Sequence, residues 1–275
     1  MKKVLLTFDG THFSEGGFEF ARGLNEKQPI LLVGSFLPVV DYSNLQVYSG
    51  ASLGNPVFMP LAEDEDAAVA KNIERFESLC KKNNIEFRVH KGFADFALYE
   101  LKNETRFADL LIIGSESFYK GLGTDVLNDY LKNTLRKVEC PVIVVPEKFN
   151  FPATNILAYD GSESSVYAIK QFVYLFPELV TNSTILIYAK EKEKQQLPDE
   201  VNIEELTARH FQDLTITKLE LDPKKYLNTW LSEQQSPIFV SGSFGRRAIS
   251  GLFHKSFVND IIKEHSIPVF ITHHK

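Results

Sequence analysis

The segment KVLLTFDGTHFSE at residues 3–15 returns in altered form as NILAYDGSESSV at residues 155–166. In each copy an uninterrupted apolar run ends at an Asp-Gly pair. An apolar run without polar alternation is typical of a strand that is covered on both faces, as in a parallel sheet. The sequence therefore predicts a first buried strand that occurs twice in the chain.

Two further pairs of segments repeat in the same order along the chain. ADLLIIGSESF at 108–118 resembles SPIFVSGSFGR at 236–246, and VECPVIVVPE at 138–147 resembles HSIPVFITHH at 265–274. Three matched landmarks in one order indicate an internal duplication.

Apolar runs alternate with helical patterns in each half. In the first half the predicted strands are VLLTF, ILLVGSF, EFRVHKG, DLLIIGS and PVIVV, and the predicted helices are FEFARGLN, AVAKNIERFESLCKKNN and DYLKNTLRKV. This alternation predicts an α/β fold of two tandem domains, each a five-stranded, mostly parallel sheet with helices on both faces. Such sheets bind ligands beyond the carboxyl ends of their strands.

The repeat also predicts the domain boundaries. We expect one domain at residues 1–147 and a second at 153–275, joined by the proline-containing segment PEKFNFPATN at 146–155. The first half has more residues than the second between its first predicted strand and the predicted strand that ends in Gly-Ser. The extra length is assigned to residues 41–66, which are rich in turn formers and predict a long surface excursion.

Composition excludes several classes of protein. Of the 275 residues, 44% are hydrophobic and 24% are charged, and the net charge is −6. A negative chain is a poor electrostatic partner for nucleic acid or an anionic membrane, and no apolar run approaches the roughly 20 residues of a membrane helix. The start, MKKVLLTFDG, predicts a first strand and not a signal peptide. With two cysteines and no disulfide framework, we expect a cytoplasmic protein.

The stretch IFVSGSFGRRAISGLFHKSF at 238–257 has features of a phosphate site. Such a site needs backbone N–H groups that converge from a loop and a helix start, with positive charge nearby. Glycine adopts positive φ at little cost and has no Cβ to block an anion. The residues predicted to contribute are Gly242, Gly245, Arg246, Lys255 and Ser256. The alternative is that the two glycines only turn the chain after a strand.

With the duplicated strands, this stretch resembles the universal stress proteins, in a tandem of two domains. The resemblance covers the chain apart from 41–66, and it implies a Rossmann-like fold of the adenine nucleotide alpha hydrolase type. A subset of that family binds ATP through G-x2-G-x9-G-[ST] after the fourth strand, with an aspartate of the first strand near the adenine. Gly242, Gly245 and Ser256 match this motif, and Lys255 replaces its third glycine. Asp160 matches the aspartate.

The first half matches the family motif less well. Asp9 stands at the aspartate position and Gly114 at the first glycine, but Ser117 replaces the second glycine. Asn128 and Asp129 fall at the glycine-serine position. A carboxylate there would repel a phosphate, so we expect a degenerate counterpart without nucleotide.

The resemblance implies a stress-response factor that binds ATP or AMP in its second half, with magnesium undecided and without dedicated catalysis. The alternative is a nucleotide-free module that binds a protein or a small ligand, with both sites vestigial. Apolar stretches of the first half, FEF and FALYE among them, would then form a partner surface unless they cover the core. A weak ATPase is a third hypothesis.

In related proteins the last strands of two domains pair edge to edge. The resemblance therefore implies that PVIVVP and PVFITH pair within this chain and form an intramolecular pseudo-dimer. Association of two chains into a homodimer is the further alternative.

Other chemistries do not fit the spacing. A Walker-type loop would need glycine where Ile249 and His254 stand, and the glycines of SGSFG have only two residues between them, which is too few for the G-x-S-x-G of a nucleophile elbow. A terminal histidine pair is more often solvated than metal-bound, so no metal site is predicted. Cys80 and Cys140 are predicted to be packing residues and not nucleophiles.

Overall fold

The structure is a computed structural model that describes residues 1–8, 12–36, 63–91, 97–115, 137–189, 196–219, 229–242, 261–262 and 267–272. The elements of the first half are β1 (Lys2–Phe8), α1 (Glu15–Lys27), β2 (Ile30–Phe36), α2 (Glu63–Lys82), β3 (Glu86–Lys91), α3 (Ala97–Thr105), β4 (Leu110–Gly114) and β5 (Val142–Val145). Those of the second half are β6 (Thr154–Tyr159), α4 (Glu163–Leu175), β7 (Ser183–Ala189), α5 (Glu200–His210), β8 (Leu214–Leu219), β9 (Pro237–Gly242) and β10 (Val269–Thr272).

All ten strands form one sheet, in the order β3-β2-β1-β4-β5-β10-β9-β6-β7-β8. Neighbouring strands are parallel within each half. The two halves meet where β5 and β10 pair antiparallel, with Ile143 opposite Phe270. The predicted α/β fold of two five-stranded halves is confirmed, and so is the edge-to-edge pairing of the last strands. The boundaries at 147 and 153 stay a prediction.

The two faces of the sheet carry separate cores. In β1, Val4 and Leu6 lie on the face that α1, α2, α4 and α5 cover, and Leu5 lies on the opposite face. The opposite face packs against Leu101 of α3 and against Ile261. Because side chains of a strand alternate between faces, a strand buried on both sides needs the continuous apolar run that the sequence shows.

Two predicted segments differ from the structure. The last four residues of the excursion assigned to 41–66 begin helix α2. In the sequence these four residues are acidic, which favours a helix start. Residues 41–62 lie outside the described residues. FALYE, taken as an apolar stretch, overlaps the unpredicted helix α3. In FEF, Phe18 and Phe20 are buried in the core, so they form no partner surface. The predicted helix DYLKNTLRKV lies almost wholly outside the described residues.

A part-buried ion pair joins the two halves. Lys2 Nζ lies 3.0 Å from Glu178 Oε1, and the two side chains are 14% and 11% exposed. The same ammonium lies 5.5 Å from the centre of the Phe176 ring, which packs edge-on against Phe270 of β10. The start of β1 is therefore tied to the second half beside the central strand pair.

The segment between the halves packs against α1. Phe149 and Phe151 contact Phe20, with ring centroids 5.8 and 5.5 Å from it. A Cβ added at Gly23 would lie 2.3 Å from Phe151 Cδ2. Glycine in a helix interior costs roughly 1 kcal/mol relative to alanine, and here it makes room for the ring.

We predict that Gly23→Ala lowers the free energy of unfolding by about 1–3 kcal/mol, because overpacking outweighs the gain in helix propensity. Denaturant unfolding measures this change. In a Phe151→Ala background the same substitution should become neutral or stabilising, since the colliding ring is gone. If Gly23→Ala alone stabilised the protein relative to the wild type, Phe151 would not pack against Gly23.

Candidate functional site

The turn after β6 holds Asp160 in a fixed position. Asp160 Oδ1 accepts a hydrogen bond of 2.9 Å from the backbone N–H of Ser162. Ser162 is the N-cap of α4, and its Oγ accepts from the N–H of Ser165 at 3.2 Å. Gly161 between them has φ of +79°, which glycine adopts without strain. The half-buried carboxylate of Asp160 is therefore oriented at the carboxyl end of β6 before any ligand binds.

The segment before α5 packs against this turn. The Tyr159 hydroxyl donates a hydrogen bond of 2.9 Å to the Pro198 carbonyl oxygen. A Cβ at Gly161 would lie 2.7 Å from Pro198 Cβ, so the turn and the proline are in close contact. Asp199 follows in a left-handed conformation, with φ of 49°, and its carboxylate makes no capping hydrogen bond to α5.

Two phenols and two carboxylates gather at this end of the sheet. Tyr159 and Tyr188 are paired neighbours on β6 and β7 and are 1% and 7% exposed. Burial, then the charges of Asp199 and Asp160, raises the pKa of Tyr159 above its usual value. Burial and then the charge of Asp160 raise the pKa of Tyr188. Both phenols thus stay protonated at neutral pH. We call Tyr159, Asp160, Tyr188 and Asp199 the Asp160 cluster.

Gly242 ends β9 beside the first turn of α4. A Cβ at this position would lie 2.4 Å from the carbonyl carbon of Ser164 and 2.6 Å from the backbone nitrogen of Ser165. Helix α4 can approach the strand this closely only because position 242 has no side chain. This contact gives glycine a structural role at 242 that is independent of any ligand, and it brings the carboxyl end of β9 next to the turn that holds Asp160.

The corresponding end of the first half is an aromatic core. Phe8 and Phe36 are paired neighbours on β1 and β2, as Tyr159 and Tyr188 are on β6 and β7. The two phenylalanine rings stack at 4.5 Å with an interplanar angle of 11°. The first half therefore has apolar rings where the second has hydroxyl groups.

A third ring joins this aromatic core from the segment between β1 and α1. Ser14 caps α1, so more residues separate Asp9 from its helix than separate Asp160 from Ser162. One of the added residues, Phe13, packs 4.9 Å from the ring of Phe8. These three rings carry no hydrogen-bonding group, unlike the phenols at the equivalent strand ends of the second half.

The structure describes three of the predicted site residues. It brings Asp160 and Gly242 to the same edge of the second half, around the start of α4, and it places Gly114 at the end of β4. The others lie outside the described residues, so their roles stay predictions: Asp9, Ser117, Asn128, Asp129, Gly245, Arg246, Lys255 and Ser256.

Sequence analysis missed the tyrosines and Asp199. Tyr159 directly precedes the Asp-Gly pair where the first half has Phe8, and this exchange was visible in the repeat. Tyr188 and Asp199 give no such signal, because their proximity to Asp160 depends on strand register and on the path into α5.

The cysteines are buried, as predicted for packing residues. Cys80 is 0% exposed and Cys140 is 6% exposed, and both are free thiols. Burial, with a smaller effect of Glu77, raises the pKa of Cys80 to about 12, and burial, with a smaller effect of Asp109, does the same for Cys140. A thiol with such a pKa is a poor nucleophile at neutral pH.

Two features are absent from the ranges that the structure describes. Among these residues, no three His, Cys, Asp or Glu side chains are grouped so that they could hold a metal ion. No helix within them combines the length and apolarity that crossing a bilayer requires.

Comparison with solved structures places the fold. A universal stress protein from Archaeoglobus fulgidus DSM 4304 aligns with a TM-score of 0.66 at 15% identity, over 99% of this chain and 96% of that one. The chain has the universal stress protein fold. A functionally unknown protein from Pseudomonas aeruginosa PAO1 aligns with a TM-score of 0.58 at 11% identity, over 99% and 92% of the two chains. No protein-family model matches the sequence, and no curated protein matches it.

We predict that Gly242→Ala destabilises the protein by about 1–3 kcal/mol, because the new methyl group meets helix backbone that cannot rotate away. Urea unfolding monitored by circular dichroism measures the loss. The neighbouring Ser241→Ala, which removes only a buried hydroxyl group, should cost less than Gly242→Ala. Equal stability of Gly242→Ala and the wild type would contradict the close approach of α4 to β9.

Proposed function

We propose that this protein is a cytoplasmic stress-response factor that binds an adenine nucleotide, ATP or AMP, in its second half and has no dedicated catalytic activity. The observation that carries the proposal is the difference between the two halves at equivalent strand ends. The second half has the Asp160 cluster, and the first half has stacked phenylalanines.

The Asp160 cluster suits the nucleoside part of the ligand. Ligand sites place a few polar groups against apolar walls, and a fixed carboxylate beside buried phenols has this character. The hydrogen bond from Ser162 to Asp160 holds the carboxylate before binding, which lowers the ordering cost of association.

The phosphate part of the proposed site depends on the residues after β9. Gly245 and Ser256 would offer backbone N–H groups, and Arg246 and Lys255 would offer positive charge. Lys255 replaces a family glycine, and its ammonium would compensate for the added side chain through attraction to the phosphates. The end of β9 lies beside the start of α4, so a ligand over this edge would reach both strands.

The first half is unsuited to the same ligand for two reasons. Its strand ends carry the packed rings of Phe8, Phe13 and Phe36, which offer no hydrogen-bonding group to a nucleoside. The sequence also predicts Asp129 where a phosphate would rest, and its charge would oppose binding.

A second candidate function is a nucleotide-free module for a small ligand or partner. A cleft of about 990 Å³ between α1, the connecting segment and the starts of β9 and β10 favours it. Much of the charge in this cleft is already paired, since Arg22 contacts both Glu19 and Glu26. For this reason we favour the nucleotide site.

Nucleotide content distinguishes the two functions. We predict that purified protein, once denatured, releases adenine nucleotide into the supernatant or, if empty, binds added Mg-ATP with a thermal shift. Gly245→Asp should abolish both signals, because a carboxylate then faces the phosphates. Ser117→Asp, the matched change in the first half, should leave both signals unchanged.

Three outcomes would contradict the proposal. A clean supernatant with no thermal shift on adding Mg-ATP would favour the nucleotide-free module. Loss of binding in Ser117→Asp alone would place the nucleotide in the first half. Phosphate release by the wild type above the level of Gly245→Asp would show an ATPase. Repeating the thermal-shift measurement with ATP and a chelator, without magnesium, tests whether binding needs magnesium.

A further inference from the structure

The cleft beside the connecting segment lies at the opposite end of β9 from the proposed nucleotide site. Its volume of about 990 Å³ falls within the range of roughly 300–1,000 Å³ that is usual for ligand pockets. Pro237, the first residue of β9, belongs to its wall, whereas Gly242 ends the same strand. A strand of this length spans roughly 17 Å between those two residues. The cleft is therefore separate from the nucleotide edge.

The connecting segment follows helix α1 along the cleft. At the first turn of the helix, the N–H of Gly16 donates a hydrogen bond of 2.9 Å to Glu147 Oε2. Farther along, the ring of Phe151 lies against Gly23. The segment thus runs from the start of the helix towards its end, and Gly23, Glu147 and Phe151 all line the cleft.

The carboxylates of the cleft wall already have partners. Glu19 and Glu26 both contact Arg22, and Glu147 is bonded to the start of α1. A cationic ligand would have to displace these partners. The carboxylates therefore do not favour a cation in the cleft.

Two lysines of the wall, in contrast, keep their ammonium groups available. Neither Lys27 nor Lys148 forms an ion pair or a side-chain hydrogen bond with another residue that the structure describes. Lys27 lies in the last turn of α1, and Lys148 follows Glu147, which is bonded at the first turn. A helix rises about 1.5 Å per residue, so Gly16 and Lys27 are about 16 Å apart along the axis. The cleft thus offers one cation near each end of α1.

Apolar side chains form much of the remaining wall. They are Phe149, Phe151, Leu231, Pro237, Ile267 and Pro268. Phe149 and Phe151 are half-buried, and Phe151 lies beside Gly23, which stands between the two ends of the helix. A ligand that covered these rings would remove apolar surface from water, which favours binding.

We infer that this cleft binds an elongated small molecule with an anionic group at each end and an apolar middle, such as a linear dicarboxylate. Each ammonium group would donate charge-assisted hydrogen bonds to one carboxylate. Acidic and basic side chains are equal in number in the wall, so recognition depends on direct contacts and not on long-range attraction. This inference does not rest on the nucleotide site, and both ligands could be bound at once.

Titration calorimetry with decanedioate, decanoate and the diol of the same chain length tests the inference. These probes share one carbon chain and differ in the number of charged ends. The wild type should bind decanedioate most tightly and the diol most weakly. We expect a difference of about threefold to fivefold for each carboxylate, the effect of one solvent-exposed charge contact. Added salt should reduce these differences.

Variants of the wall locate the binding. Lys27→Gln and Lys148→Gln should each lower the affinity for decanedioate to about that for decanoate. Lys82→Gln is the matched control, because Lys82 lies in the last turn of α2 and outside the cleft, and it should leave the affinity unchanged. Ser232→Trp, at an exposed position of the wall, should weaken the binding of every probe because the indole fills the cleft.

Three results would overturn the inference: no binding of decanedioate, equal affinities for the three probes, or an affinity that neither cleft lysine variant changes. Bound ATP and the variant Gly245→Asp should not alter the affinity for decanedioate. A failure of the proposed nucleotide site is therefore distinguishable from a failure of this inference.

Discussion

The antiparallel pairing of β5 with β10 determines how the two halves are arranged. Each of these strands would otherwise be a free edge of a five-stranded sheet, with unpaired backbone groups that invite aggregation. Their pairing joins the halves into one ten-stranded sheet. Because strands are parallel within each half but the central pair is antiparallel, the carboxyl ends of the two halves lie at opposite edges. The strand ends that carry Asp160 and Gly242 are therefore at a different edge of the sheet from those of the first half.

This separation allows the halves to differ. In the first, Phe8 and Phe36 stack at the strand ends, and Phe13, just before α1, packs against Phe8. In the second, Tyr159 and Tyr188 stand at the same register and Asp160 lies beside them. Hydroxyl groups buried next to carboxylates cost stability unless they are bonded, whereas stacked rings stabilise a core. The strand ends of the first half thus carry apolar rings, and those of the second carry the polar groups on which the proposed function depends.

Much of the fold could be predicted from the sequence because its signals are local or repeated. ILLVGSF predicts β2 with the bounds that the structure gives, since a run buried on both faces has no polar interruption. Helix α3 was missed because its pattern is short, and the start of α2 was missed because an acidic run resembles a loop. The repeat was sufficient to place Asp160 and Gly242 at one edge. The contacts of Tyr188, Asp199 and Pro198 depend on register and on chain segments distant in sequence, which no local pattern specifies.

Hydrogen exchange at the central strand pair tests the account most directly. Amides of residues 142–145 and 269–272 should exchange as slowly as those of β4 and β9, because the strands open only when the whole sheet unfolds. Exchange of both central segments orders of magnitude faster than that of β4 and β9 would show that the halves are not joined there.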